Sequence, residues 1–240
     1  MNIDTLIVNG CSHAYGDGAQ CDEEMFDLYF PNIPQAVEDL KTDADEFFTK
    51  YTEPYLDNID DWKSLTHDFT TLPRWTNLLD YRVFNVGQNG SNIETDYENI
   101  KQSEFGDTGN TVYLLLIGHI HRGGVDVYLD TLQQHQQYAE QMGWQFYVMP
   151  LDYEEFVAFD MLNHKYFSSI MQHNNILSKT EYKDYWQVIA DKPNFPIVDY
   201  YFNLLQCEML KDKLIAPCRH ANQKGQKIFA QRIQKIINEF

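Results

Sequence analysis

Basic residues are scarce in this chain. Eighteen Lys and Arg stand against 36 Asp and Glu in 240 residues, a formal charge of −18 at pH 7. So acidic a surface repels phosphate backbones and anionic lipid, which excludes nucleic-acid binding through a broad basic face. Cysteine is also sparse. Cys11, Cys21, Cys207 and Cys218 have none of the short paired spacings of zinc sites, and four in a chain of this length make no disulfide scaffold. They read as reduced thiols in a cytosol. Long apolar runs are missing: the densest, residues 112–117, is about a third of the roughly 20 residues a spanning helix needs. The start, Met1-Asn2-Ile3-Asp4, lacks a basic region ahead of a long apolar core, so no secretory signal is expected and the protein is expected to be soluble. Twelve Gly, 8 Pro and the want of any Gly/Ser linker or internal repeat exclude collagen-like and low-complexity classes.

What is abundant is core material: 43% hydrophobic residues and 15% aromatics, including 16 Tyr and 15 Phe. A chain this long, at about 150 residues per domain, holds one to two domains. The expectation is a single domain over 1–240. Four apolar runs bounded by Gly, Asn or Pro read as strands, at 5–9, 82–86, 111–117 and 144–149. They show little alternation, which suits strands buried on both faces in a parallel sheet covered by helices. Helical patterns fit 92–103, 125–142 and 221–238, the last with Phe229, Ile233, Ile236 and Ile237 on one stripe. The predicted fold class is α/β, a layered sandwich. Two stretches interrupt the alternation as insertions, at about 14–80 and 151–200. The first carries 16 acidic against 4 basic residues, and its Phe26, Tyr29, Phe30, Phe47, Phe48, Tyr51, Tyr55 and Trp62 predict a folded segment. The acid itself reads as a solvated face, since no Asp-x-Asp-x-Asp-Gly calcium loop is present.

Strand 5–9 runs into Asn9-Gly10-Cys11-Ser12-His13. A serine just after a buried strand, beside glycine, is presented at the strand's carboxyl end, where a nucleophile belongs. His220 stands immediately before the last helix, and both ends face the same edge of a parallel sheet. Read blandly, Ser12 is a helix cap and Gly87 and Gly90 are turn glycines at positive φ. His119 and His121 have a His-x-His spacing that also suits a metal, though no third ligand is assignable.

The ordered blocks resemble the SGNH (GDSL-like) hydrolase family. Gly10-Cys11-Ser12-His13 is similar to its first block, with Gly-Cys-Ser in place of Gly-Asp-Ser. Residues 75–79, then 83–92 ending Gly87-Gln88-Asn89-Gly90-Ser91-Asn92, resemble the second; Leu114-Leu115-Leu116-Ile117-Gly118 the third; and 220–228 the last. The resemblance implies a three-layer α/β/α, flavodoxin-like sandwich and a serine esterase with no cofactor and no metal. It assigns Ser12 as nucleophile, His220 as base and Gly90 N–H as an oxyanion donor, with His13, Gly87, Asn89 and Asn92 lining the substrate. The third block's asparagine is missing, so His119 or His121 is expected to supply the third donor. The aspartate three residues before the histidine is Pro217 here, so His220 is expected to be oriented by a backbone carbonyl, by Asp212 or by Asp199. The implied partner is a small acyl ester or an acylated carbohydrate. A cytoplasmic or virion-associated setting, as for members from bacterial viruses, is implied by the same resemblance. The competing expectation is a degenerate binding or structural module in a virion, with a protein partner.

Overall fold

The computed structural model describes residues 3–10, 12–16, 18–58, 74–88, 90–117, 125–150, 206–207 and 209–238. The fold is α/β. Four strands, β1 (Thr5–Gly10), β2 (Arg82–Asn85), β3 (Thr111–Ile117) and β4 (Gln145–Pro150), make a sheet in the order β2-β1-β3-β4, with every pairing parallel. Seven α-helices are delimited among the described residues: α1 (Ser12–Tyr15), α2 (Glu23–Tyr29), α3 (Ile33–Thr42), α4 (Ala44–Phe47), α5 (Ile93–Gln102), α6 (Val125–Gln141) and α7 (Gln223–Asn238). None is long and apolar enough to cross a membrane. The strands and the three helices expected from the sequence all form, with ends moved by one or two residues. The expected insertion at 151–200 lies outside the described residues.

The chain forms two compact units: Met1–Tyr15, Asp80–Phe195 and Ile233–Phe240 make the first, Gly16–Leu79 and Pro196–Arg232 the second. In the first, β1 is flanked on both sides, and all six of its residues are buried. Leu6, Ile7, Val8 and residues 112–116 of β3 are fully buried, or nearly so, which is why these runs show no polar alternation. β2 lies at an edge and its Arg82 is exposed. From β1 the chain goes first to β2 on one side, then to β3 on the other, so the winding reverses between β1 and β3. In parallel sheets the strand ends diverge there and leave a crevice. α5 packs on β1 and α6, and α6 on β4.

The second unit contains α2, α3 and α4, each opened by a side-chain cap. Asp22 accepts from Met25 N at 2.9 Å, Asn32 from Gln35 N at 3.2 Å, and Asp43 from Asp45 N and Glu46 N, both at 3.0 Å. The aromatics of the acidic stretch build a core of their own. Phe26 meets Phe30 at 5.0 Å between ring centroids and Phe47 meets Tyr51 at 4.8 Å, while Tyr55 is buried against Tyr29. Phe48 is the exception, 44% exposed, and Trp62 lies outside the described residues. Trp75 is fully buried with its ring against Phe229 at 4.6 Å.

Candidate functional site

The carboxyl end of β1 is shaped by Gly10. Its φ is +131°, and a Cβ there would lie 1.9 Å from the Leu116 carbonyl oxygen on β3, so only glycine fits. Two residues on, Ser12 opens α1 and is buried. α1 is held by Asn85, the last residue of β2. Asn85 Nδ2 donates to the Ala14 carbonyl at 2.7 Å, and its Oδ1 accepts from Gly87 N at 3.0 Å. His13 lies in α1 as well.

The loop after β2 stays alongside β1: Val86 N donates to Val8 O at 2.8 Å and Gln88 N to Gly10 O at 3.0 Å. Gly87 is not among the positive-φ glycines, contrary to its reading as a left-handed turn residue. Its requirement is space, because a Cβ would come within 2.9 Å of both Ala14 Cβ and the Gly10 carbonyl oxygen. Gly90 does adopt the left-handed region, at φ +74°, and is exposed with open space where a Cβ would be. Asn92, expected at the substrate, is the cap of α5. Its Oδ1 accepts from Thr95 N and from Thr95 Oγ1, both at 2.9 Å.

His220 belongs to the second unit, on a tight loop closed by Ala216 N donating to His220 O at 2.7 Å. Arg219 takes φ +67° there, and Gln206 clamps it by donating to its carbonyl at 3.0 Å while accepting from its Nε. The Pro217 carbonyl accepts from Thr52 Oγ1 at 2.6 Å. Of the acceptors expected for His220, it is a backbone carbonyl that stands at Nδ1: Cys218 O, at 2.8 Å. Asp212 is exposed, and its carbonyl accepts from Lys224 Nζ at 2.9 Å. Asp199 lies outside the described residues.

From Asn9, three residues before Ser12, a buried polar chain that sequence reasoning missed runs through the first unit. Asn9 Oδ1 accepts from Gly10 N at 2.8 Å, while its Nδ2 donates to Asp96 O at 2.7 Å and to Tyr113 Oη at 3.1 Å. Tyr113 Oη is 2.8 Å from His135 Nδ1, and His135 Nε2 is 3.2 Å from the Ile93 carbonyl oxygen. Asn9, Tyr113 and His135 are fully buried. Burial lowers the His135 pKa to about 4 against a smaller opposing effect of the Ile93 carbonyl, so the ring is neutral near pH 7. Burial also pushes the Tyr113 phenol well above its ordinary value. A signal for this chain exists: Asn9 interrupts an apolar strand, and His135 shares the buried face of α6 with Leu132 and Ala139.

Cys11, Asn89, His119 and His121 lie outside the described residues. Among those described, no three His, Cys, Asp or Glu side chains are grouped to hold a metal ion. No protein-family model and no curated protein matches the chain, so its function has to be argued from its own residues.

Proposed function

We propose that the chain is a serine esterase or acylhydrolase of the SGNH type, acting on a small acyl ester or an O-acetylated carbohydrate. The observation that carries this reading is the place of Ser12, opening a helix directly beyond the carboxyl end of the buried central strand β1. Parallel sheets gather their reacting groups at that edge. The strand order, reversing between β1 and β3, supports a flavodoxin-like, three-layer α/β/α arrangement. The Cys218 carbonyl at His220 supports the assignment of the base. A carbonyl oxygen only accepts, so Nδ1 carries the hydrogen and Nε2 of the neutral ring keeps the lone pair a general base needs.

In the proposed reaction His220 Nε2 takes the proton from Ser12 Oγ as Oγ attacks the acyl carbonyl. The N–H groups of Ser12 and Gly90 stabilise the oxyanion, with His119 or His121 as the third donor. Collapse expels the alcohol, which takes its proton from His220, and water then cleaves the acyl-serine with His220 again as base. No cofactor takes part. The setting proposed is cytoplasmic or virion-associated.

Turnover on short-chain aryl esters and acetylated sugars tests this directly. Ser12→Ala and His220→Ala should each lower kcat by roughly 10⁴-fold or more, with the double variant hardly worse, because nucleophile and base act as one unit. A fluorophosphonate, which phosphonylates an activated serine and expels fluoride, should label Ser12 alone. If the wild type neither turns over nor labels, the binding or structural module is the better reading.

A further inference from the structure

We infer that Asn9, Tyr113 and His135 form a positioning network that sets the nucleophile turn against the first turn of α5 and thereby aligns Ser12 with the backbone donor Gly90. The inference rests on the serine esterase reading.

Its directions are forced. The Ile93 carbonyl can only accept, so His135 Nε2 carries the hydrogen. In a neutral ring Nδ1 is then the acceptor, so Tyr113 donates its hydroxyl hydrogen to it and receives one from Asn9 Nδ2. The second Nδ2 hydrogen goes to Asp96 O, which leaves Asn9 Oδ1 facing Gly10 N. A flipped Asn9 carboxamide would set oxygen against the Asp96 carbonyl and an N–H₂ against the Gly10 N–H. One orientation survives.

The ends of the network matter most. At one end Asn9 holds the peptide of Gly10, whose carbonyl already accepts from Gln88 N of the Gly90 loop. At the other end, reached through Tyr113 and His135, is the Ile93 carbonyl, while the Asp96 carbonyl is held by Asn9 directly; both carbonyls lie in the opening turn of the helix that follows Gly90. β1, β3 and α6 each contribute one side chain and α5 two carbonyls, so the network ties together the elements carrying the nucleophile and the oxyanion donor. Apolar side chains of similar volume could fill this core. Fully satisfied buried polar chains instead fix one geometry, and an error near 1 Å at a reacting centre can cost about 100-fold in rate.

The test compares Ser12 phosphonylation rate, kcat and KM in wild type, Tyr113→Phe and Val112→Ala, with Tm measured alongside. Tyr113→Phe keeps the ring and removes the central hydroxyl. It should slow labelling and kcat by about 10- to 100-fold with KM unchanged. Val112→Ala, a core truncation on the neighbouring residue of β3, should lower Tm and leave kcat in place. Equal loss of kcat in both variants, or none in Tyr113→Phe, overturns the network. If Tyr113→Phe does not fold, ¹⁵N NMR of wild-type His135 decides: the Nε2–H tautomer at pH 7 upholds it, and an Nδ1–H or charged ring refutes it. A wild type that does not label at Ser12 removes the esterase reading and this inference together. Labelling that is unchanged in Tyr113→Phe removes the inference alone.

Discussion

Asp39 sits within the most acidic stretch of the chain yet is buried, on the face of α3 that also buries Ala36, Val37 and Leu40. Its carboxylate accepts from Lys50 Nζ at 2.6 Å, from Gln35 Nε2 at 2.6 Å and from Tyr51 Oη at 2.8 Å. The Lys50 hydrogen bond is the main cause that holds this carboxyl below its ordinary value of 3.8, outweighing burial, and Gln35 and Tyr51 add to it. A carboxyl with a lower pKa folded than unfolded binds fewer protons in the folded state. Its contribution to stability is therefore complete above the unfolded value and is lost as pH falls from about 4 through the folded one. Wild type should lose more unfolding free energy between pH 5 and pH 3 than Asp39→Asn, measured by urea titration. At pH 7 that variant should be about 1.5–3 kcal/mol less stable, the scale of hydrogen bonds to a charged group. Parallel pH curves for the two proteins would refute this. Composition reads the acidic stretch as a solvated face. Only the partners brought in by α3 and by residues 50–51 make one of its members structural.

At the level of elements, the sheet and its helices were legible because burial on both faces writes uninterrupted apolar runs. The readings at 5–9, 82–86, 111–117 and 144–149 correspond to β1 to β4, and those at 92–103, 125–142 and 221–238 to α5 to α7. The helices α2 and α4, of 7 and 4 residues, have too few turns for a period to stand out, whereas α3 is as long as α5 and is missed all the same. Their caps Asp22, Asn32 and Asp43 were the available signal. Glycines at element ends were legible as turns but not in their reasons. Gly10 and Gly90 both have positive φ, yet a Cβ at Gly10 strikes the Leu116 carbonyl whereas one at Gly90 meets open space. Gly90→Ala should thus cost only the backbone strain, about 1 kcal/mol, and Gly10→Ala clearly more, at least about 2–3 kcal/mol. Urea midpoints with unchanged m-values measure the difference, and equal losses would contradict the steric account.

For the whole molecule the dominant quantity is the charge of −18, to which residues 14–80 contribute 16 acidic against 4 basic groups. Like charges confined to a compact state repel, and salt screens them, shortening the screening length from about 30 Å at 0.01 M to about 10 Å at 0.1 M. Tm should therefore rise between 10 mM and 500 mM sodium chloride. A flat or falling Tm would mean that local ion pairs such as Lys50–Asp39 and Lys213–Asp27 outweigh the net repulsion.

The sequence by itself determined the α/β class, the strands and their parallel character, the place of Ser12 after the first of them and the acidic balance. Those are properties of local pattern, written residue by residue into burial and turn chemistry. Tertiary structure alone decided the order β2-β1-β3-β4, the carbonyl of Cys218 as the acceptor at His220, the burial of Asp39 and the chain of Asn9, Tyr113 and His135. Each of these joins groups by direction and distance across the fold, 104 positions apart for Asn9 and Tyr113, or through a backbone atom that every residue carries alike. Side-chain identity in a linear sequence does not encode such contacts.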